Sequence, residues 1–194
     1  VEKLDFEQVD YWQELCTIMD YAKENVFSTL YLCWGAFAGL YHLYGIPKYP
    51  SDKKIFGVFK NRRTTLNDPL LRGMDDEFPV PQSRHTLLSK QDIKSNQELI
   101  ILAESEESGV TLVKSKNNRE VFMTGHLEYD TSTLADEYRR DKSKNLPIDL
   151  PKNYFPKDDP NLMPQSYWRS TAHLLFSNWL NYYVYQETPF NFTK

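Results

Sequence analysis

The sequence predicts an α/β protein, in which short buried strands alternate with helices that cover the faces of a sheet. Apolar residues recur at helical spacing within Phe6–Lys23, which indicates an amphipathic helix. Val26–Leu32 is short, apolar and β-rich, as is typical of a buried strand. The segments Val110–Lys114 and Arg119–Thr124 flank the letters SKNN, which favour a hairpin turn. These three patterns, found within one chain, predict the fold class.

The other elements are predicted in the same way, and two proline-rich stretches are expected to be loops. Gly45 and Pro47 end the helix that follows the first strand. Thr64–Lys90 contains three prolines and one glycine, so we expect a long irregular loop of the kind that is usually functional or disordered. Leu146–Pro164 is expected to be an ordered loop. Further helices are predicted at Ala36–Tyr44, Thr133–Asp141 and Ala172–Tyr185, and further strands at Ile55–Phe59 and Glu98–Ala103.

Length and composition indicate one domain, residues 1–194, that is large enough to bury a core. The net charge of −4 and the lack of Lys/Arg runs among the aromatic residues argue against a nucleic-acid surface. Two cysteines do not make a disulfide framework, so we expect a cytoplasmic, reducing compartment. No CxxC or HxxxH spacing occurs, so no metal is expected.

One apolar stretch raises the question of a membrane span. Val26–Ile46 is long enough, but Ser28, Thr29 and His42 interrupt it, and a strand followed by a helix explains it better. We therefore expect no membrane partner. The chain starts at Val1 rather than at a methionine, so we expect it to lack its N-terminal portion.

Cys33 lies between the predicted strand Val26–Leu32 and the helix Ala36–Tyr44. A nucleophile on a tight strand-to-helix turn projects from the edge of the sheet, and Gly35 permits such a turn. The helix N-terminus favours a thiolate and supplies N–H groups for an oxyanion. A lone buried cysteine is more often structural than catalytic, so this observation leaves both readings open.

His126 and Glu128 follow a second predicted strand, again at its C-terminal end. Residues two apart on an extended chain point the same way, so Glu128 can hold His126 in one orientation. This pair would supply the base that a cysteine nucleophile needs. A surface histidine beside a surface glutamate is the simpler alternative, and His42 or His85 could serve the thiol instead.

Stretches along the whole chain resemble the homoserine O-acyltransferase family, the O-acetyl- and O-succinyltransferases of methionine biosynthesis. The similar stretches include VDYWQEL, LCWGA, YGIPK, PQSRHT, GHLEYD, EYRRD and NYFPKDDP, in that order. The resemblance implies a flavodoxin-like three-layer sandwich of the class I glutamine amidotransferase type, with a mostly parallel sheet and an added β-hairpin. It also implies a homodimer, and a family chain that begins upstream of Val1.

The resemblance assigns roles to the cysteine turn and to the GHLEYD stretch. It implies that Cys33 is the acylated nucleophile, that His126 is the general base and that Glu128 orients it. The reaction would be ping-pong, with acetyl-CoA as co-substrate and no bound cofactor. The amide of Trp34 would form part of the oxyanion hole.

The resemblance also implies the substrate contacts. Ser83 and Arg84 of PQSRHT match positions that line the acceptor site, and Lys54 matches another substrate position. Arg140 of EYRRD matches the arginine that grips the amino-acid carboxylate, for which a guanidinium fork is suited. Glu2 matches a position where glutamate accompanies acetyl-CoA users, whereas glycine there leaves room for a succinyl group.

Two residues depart from the family pattern, because Phe37 replaces the usual glutamine and Gln82 the usual histidine. Both are expected beside the active site, so the acceptor stays open. The leading interpretation is acetyl transfer to L-homoserine, and the nearest alternative is the same transfer to L-serine for cysteine biosynthesis. Succinyl transfer to homoserine, glutamine amidohydrolysis and a non-catalytic binding module are the other interpretations.

Overall fold

The computed structural model describes residues 1–190, which form six strands and five α-helices. The first helix starts later than predicted, because Phe6–Gln8 forms a separate 3₁₀ turn. The last predicted helix ends at Asn178 and continues as a π-helix, Trp179–Tyr185. The strands are β1 (Thr29–Leu32), β2 (Lys48–Arg63), β3 (Glu77–Leu88), β4 (Leu99–Ser105), β5 (Gly109–Ser115) and β6 (Glu120–Met123). The helices are α1 (Trp12–Asn25), α2 (Trp34–Tyr44), α3 (Lys90–Ser95), α4 (Thr133–Ser143) and α5 (Arg169–Asn178).

The strands form one mixed sheet in the order β1-β6-β5-β4-β2-β3. Within residues 1–190, β1 and β6 are parallel and every other neighbouring pair is antiparallel. The α/β class is confirmed, but the prediction of a mostly parallel sheet is wrong for this part of the chain. The reason is the connections: β4 and β5 are joined by residues 106–108 and β5 and β6 by residues 116–119. Such short turns can join only antiparallel neighbours.

The largest error of the sequence prediction concerns Thr64–Lys90, which contains the twelve-residue strand β3 rather than a long loop. Pro79 and Pro81 suggested a loop, yet they pair with Lys60 and Val58 of β2. Strand β3 lies at the edge of the sheet and pairs with β2 on one side. The missing N–H groups of the two prolines therefore break no hydrogen bond to a strand on the other side. The β5–β6 hairpin at SKNN is confirmed.

Helices cover both faces of the sheet, and each face has its own apolar core. Strand β6 shows the alternation, because Val121 and Met123 pack in one core whereas Phe122 packs in the other. The Phe122 core contains α1 and α2, and the opposite core contains α4 and α5. In residues 1–190 no helix has both the length and the apolar character that a bilayer crossing requires.

A buried ion pair ties the last helical segment to the sheet. Lys114 Nζ of β5 lies 2.5 Å from Asp68 Oδ2, and both side chains are 8% exposed. Lys114 also donates to the hydroxyl of Tyr183 at 3.1 Å and to Asn118 Oδ1 at 2.6 Å. The Tyr183 hydroxyl donates to Asp68 Oδ1 at 2.7 Å. Both buried charges therefore have an ion-pair partner and additional hydrogen bonds, as burial requires.

Candidate active site

Cys33 occupies the predicted turn between β1 and α2, and its backbone is strained. Its φ is 46° and its ψ is −119°, a conformation that non-glycine residues seldom adopt. The turn is held from the neighbouring strand, because the Cys33 N–H donates to the carbonyl of Met123 at 2.7 Å. This is the geometry of a nucleophile elbow, which presents a side chain at the end of the sheet.

His126 and Glu128 are brought to Cys33 by the pairing of two parallel strands. Leu32, the last residue of β1, is in register with Met123, the last residue of β6. The carboxyl ends of parallel neighbours meet at one edge, so the residues that follow them are adjacent. His126 Nδ1 lies 2.6 Å from Glu128 Oε1, and the imidazole is close enough to Cys33 for the two side chains to interact. The structure therefore brings the three residues together.

Gly125 allows β6 to end against β3. A Cβ added at Gly125 would lie 2.4 Å from Val80 Cγ1 and 2.9 Å from the carbonyl of Pro81. The next N–H, that of His126, donates to the same carbonyl at 2.9 Å. The close approach and this hydrogen bond hold the His126 backbone in place. They leave no room for a side chain at position 125, so glycine is required there.

The charge state of His126 follows from its surroundings. Burial of the ring opposes its protonation, but hydrogen bonds and charge interactions with Cys33 and Glu128 outweigh it and raise the pKa of His126 to about 9. Tyr129 lies flat on the imidazole, with ring centroids 4.1 Å apart and an angle of 14°. The ring is therefore supported by a carboxylate on its edge and by an aromatic ring on its face.

Replacing His126 with glutamine should remove a stability contribution that depends on pH. The pKa of His126 rises from 6.5 to about 9 on folding, so its contribution is fully present below about pH 6.5 and is lost as the pH rises through about 9. The free energy of unfolding should differ most between wild type and His126→Gln at about pH 6, and least near pH 10. Urea titrations at both pH values measure this difference in the free energy of unfolding. A difference that is the same at both pH values would contradict the prediction.

Three of the expected substrate residues converge on Glu137 of α4, which the sequence reasoning missed. Lys54 Nζ lies 2.7 Å from Glu137 Oε1, and the Ser83 hydroxyl donates to Glu137 Oε2 at 2.8 Å. Arg140 lies one turn along α4, 3.6 Å from Glu137, and its Nε donates to Asp141 at 2.7 Å. The spacing of Glu137 and Arg140 in EYRR was the only signal in the sequence, and it is common on solvated helices.

Arg84 does not join this group. Its side chain is 1% exposed, and Nε donates to Gln82 Oε1 at 3.0 Å. Its terminal nitrogens donate to the carbonyls of Thr86 and Ser108. Because all three nitrogens are engaged and buried, Arg84 has no free face for an acceptor carboxylate in this structure.

Phe37 and Gln82, which depart from the family pattern, both contact Arg84. The guanidinium lies over the Phe37 ring, 5.8 Å from its centroid, and Gln82 accepts from its Nε. Phe37 is 2% exposed and Gln82 is 0% exposed, so neither lines an open acceptor pocket. The two departures therefore alter one buried environment, that of Arg84.

Glu2 is held in place although it is the second residue of the chain. Its carboxylate accepts hydrogen bonds from the His85 N–H and from the Thr86 hydroxyl. Lys48 donates to the carbonyls of Glu2 and Leu4 at 2.7 and 2.6 Å. Glu2, Lys48, Lys54 and His85 are among the residues that line a cleft of about 1000 Å³. Two expected substrate residues thus face the same open space.

Trp34 provides a backbone hydrogen-bond donor at the start of α2. The Trp34 N–H, at the first position of α2, has no hydrogen-bond partner within residues 1–190, and N–H groups there suit an anion. In the same part of the chain, no group of three or more His, Cys, Asp and Glu side chains is arranged to hold a metal ion.

The fold is similar to that of solved glutamine amidotransferases. A glutamine amidotransferase from Methylobacillus flagellatus has a TM-score of 0.67 at 13% identity, covering 100% of this chain and 75% of that one. One from Thermotoga maritima has a TM-score of 0.65 at 16% identity, covering 91% and 71%. At these identities the likeness shows the fold alone. The fold and the site together define an α/β protein that is similar in fold to the class I glutamine amidotransferases and that brings a cysteine, a histidine and a glutamate together.

The chain belongs to the homoserine O-succinyltransferase family, whose model matches residues 1–190. It is 59% identical over 191 residues to a homoserine O-acetyltransferase of Petrotoga mobilis, and 58% identical over 190 residues to one of Clostridium acetobutylicum. These alignments cover 98% of this chain but 62% and 63% of the two relatives, so the chain spans less than two thirds of their length. The family resemblance inferred from the sequence is confirmed.

Proposed function

We propose that the protein transfers an acetyl group from acetyl-CoA to the hydroxyl of L-homoserine, through a thioester on Cys33. One observation carries the proposal: Cys33 lies on a strained turn before α2 and interacts with the imidazole of a hydrogen-bonded His126–Glu128 pair. The names of the relatives support acetyl as the transferred group and homoserine as the acceptor. The family membership supports acyl transfer over amide hydrolysis.

In the first half-reaction, the thiolate of Cys33 attacks the acetyl carbonyl carbon while His126 is protonated. The oxyanion would accept a hydrogen bond from the Trp34 N–H, where the α2 dipole is positive. The bond between the carbonyl carbon and the CoA sulfur then breaks, and His126 donates its proton to the departing thiolate. An acetyl thioester on Cys33 and a neutral imidazole remain.

In the second half-reaction, the same imidazole acts as a base. Acylation removes the negative charge of Cys33, which is one cause of the raised pKa of His126. Neutral His126 then accepts the proton of the homoserine hydroxyl as its oxygen attacks the thioester. The bond to the Cys33 sulfur breaks, and O-acetylhomoserine, the thiolate and protonated His126 result. The cycle balances without a further co-reactant.

The acceptor carries an ammonium and a carboxylate, and α4 offers a group of opposite charge for each. Arg140 is 56% exposed and presents its guanidinium beside the site, where a carboxylate can pair with it. Glu137 is held by Lys54 and Ser83 and offers a carboxylate for the ammonium. We propose that these two residues, one helical turn apart, orient the acceptor.

Replacing Glu137 with glutamine should raise the KM for homoserine by about 10- to 100-fold, the effect of losing a hydrogen bond to a charged group. The KM for acetyl-CoA should change little, because the acyl donor carries no ammonium. Initial rates with each substrate varied in turn measure both constants. Asp136→Asn is the matched control, since Asp136 is adjacent in α4 but lies on an exposed ion pair with Arg139. Equal increases in the KM for homoserine and the KM for acetyl-CoA would contradict the role of Glu137 in binding the acceptor ammonium.

Glu2 would select the acyl donor. Its carboxylate is held between β3 and the cleft, where it would repel the free carboxylate of a succinyl group and admit acetyl. This agrees with the acetyltransferase names of the relatives.

The test of the function is an assay of the full-length protein with two donors and three acceptors. Acetyl-CoA or succinyl-CoA is combined with homoserine, serine or glutamine, and CoA release and the acyl adduct on Cys33 are measured. We expect the fastest CoA release with acetyl-CoA and homoserine. Preference for serine would support the cysteine-biosynthesis alternative, and ammonia release from glutamine would support the amidohydrolase. No adduct and no CoA release would refute acyl transfer.

The remaining expectations from the sequence stay proposals of the same kind. We propose a flavodoxin-like three-layer sandwich and one domain over residues 1–194. We also propose a homodimer in the cytoplasm that uses small-molecule substrates alone. The helices on both faces of the sheet support the layered architecture.

A further inference from the structure

Arg84 carries a buried positive charge that has no carboxylate partner. The side chain is 1% exposed, and none of the ion pairs within residues 1–190 includes it. Its donors meet an amide oxygen and two backbone carbonyls, which are neutral acceptors. Burying a guanidinium without an anion is costly, so the position of such a charge needs an explanation.

The charge lies against the helix that begins at Cys33. The guanidinium covers the ring of Phe37, and the Phe37 N–H donates to the carbonyl of Cys33 at 3.3 Å, one turn along α2. Burial lowers the pKa of Arg84 to about 10, and the negative charges of Cys33 and Glu2 act in the opposite direction. The guanidinium thus lies against the first turns of the helix that Cys33 begins, and Cys33 and Glu2 are anionic groups whose charge acts on it.

We propose that Arg84 is the buried counter-charge of the Cys33 thiolate, a positioning residue that stabilises the nucleophile rather than a group that binds the acceptor. The inference rests on the proposed function only in taking Cys33 as the nucleophile. Charge on the cysteine sulfur exists before acylation and again when the thioester breaks, so Arg84 acts at both points. A stabilised thiolate is also a better leaving group in the second half-reaction.

The same role accounts for the two departures from the family pattern. Phe37 covers one face of the guanidinium, which excludes water and strengthens its field at the sulfur. Gln82 fixes the orientation of the guanidinium through Nε, and its own Nε2 is buried without a hydrogen-bond partner. The pair thus holds a charge in place, and its effect on the acceptor would be indirect.

Other charged groups also face Cys33, and the test has to separate them from Arg84. His126 of the β6–α4 segment interacts with Cys33, whereas Lys54 and Arg140 are paired with carboxylates of α4. The anionic or ionisable groups that interact with this region are Glu2, Glu128, Tyr129 and Glu137.

The experiment measures how the rate of Cys33 alkylation by iodoacetamide depends on pH in the full-length protein. Arg84→Met removes the charge at similar length and should move the midpoint of the profile upward by about one pH unit or more. Arg84→Lys keeps the charge and should restore most of the wild-type profile. Arg62→Met, which removes an exposed arginine of β2, is the control and should leave it unchanged. Coincident profiles for wild type and Arg84→Met would overturn the inference.

A second measurement keeps the inference testable if Arg84→Met does not fold. The variant His126→Gln removes the imidazolium, while Lys54 and Arg140 stay paired with carboxylates and Arg84 keeps its charge. The ratio of the alkylation rate with iodoacetate to the rate with iodoacetamide should then be higher for Cys33 than for the thiol of glutathione, because a cation attracts the negatively charged reagent. An equal ratio for the two thiols would overturn the inference. Alkylation does not require acyl transfer, so a failure here is distinct from a failure of the proposed function, which the acyl adduct reports.

Discussion

Replacing Cys33 with alanine should lower kcat/KM for acetyl transfer by about 10³-fold or more, as the loss of a triad nucleophile does elsewhere. The reason is that the variant has no sulfur to form the thioester, while the fold around it is preserved. The side chain is only partly buried, and the turn is held by backbone hydrogen bonds that alanine also makes. The measurement is CoA release from acetyl-CoA in the presence of homoserine, together with the mass of the protein after incubation with acetyl-CoA alone.

Cys16→Ala is the matched control for this prediction. Cys16 is the other free cysteine, lies on α1 and has the same intermediate exposure, so general effects of removing a thiol are shared. The control should keep its activity and its acetyl adduct, whereas Cys33→Ala should lose both. An adduct that persists in Cys33→Ala, or activity within tenfold of wild type, would exclude Cys33 as the nucleophile.

Replacing Lys114 with methionine should lower the free energy of unfolding by about 3–5 kcal/mol, the range for breaking a buried ion pair from one side. The substitution leaves the carboxylate of Asp68 buried, with the Tyr183 hydroxyl and the Leu70 N–H as its remaining partners. Because Tyr183 belongs to the π-helix, the C-terminal segment should loosen first. Urea unfolding followed by circular dichroism measures the change, and proteolysis locates it.

Two comparisons make the ion-pair prediction specific. Lys60→Met breaks the exposed pair with Glu77 and should cost at most about 1 kcal/mol. The double variant Lys114→Met/Asp68→Leu removes both buried charges and should be more stable than Lys114→Met alone. If Lys60→Met and Lys114→Met prove equally destabilising, the buried pair has no special role in the fold.

Two parts of the candidate site, the turn at Cys33 and the contact between His126 and Glu128, could be predicted from short stretches of sequence. A cysteine followed by glycine, between an apolar strand and a helix, predicted the turn that the structure shows at Cys33. His126 and Glu128 were expected to meet on an extended chain; their atoms lie 2.6 Å apart, but the chain forms a turn at Leu127 and Glu128 rather than a strand. In both cases the residues that decide the geometry lie within a few positions of each other, so the sequence contains the necessary information.

Local sequence patterns were sufficient to predict the class of the fold, the cysteine turn and the SKNN hairpin, because each depends on neighbouring residues. The direction of the strands and the presence of β3 depend on tertiary contacts, since the edge position of β3 is what makes Pro79 and Pro81 tolerable in a strand. Tertiary contacts also determine which charged groups meet. Glu137 contacts Lys54 and Ser83, which lie more than fifty residues away in the sequence, and Arg84 is buried against Phe37 of α2 rather than exposed to solvent. Such pairings depend on burial and on long-range contacts, which no local pattern records.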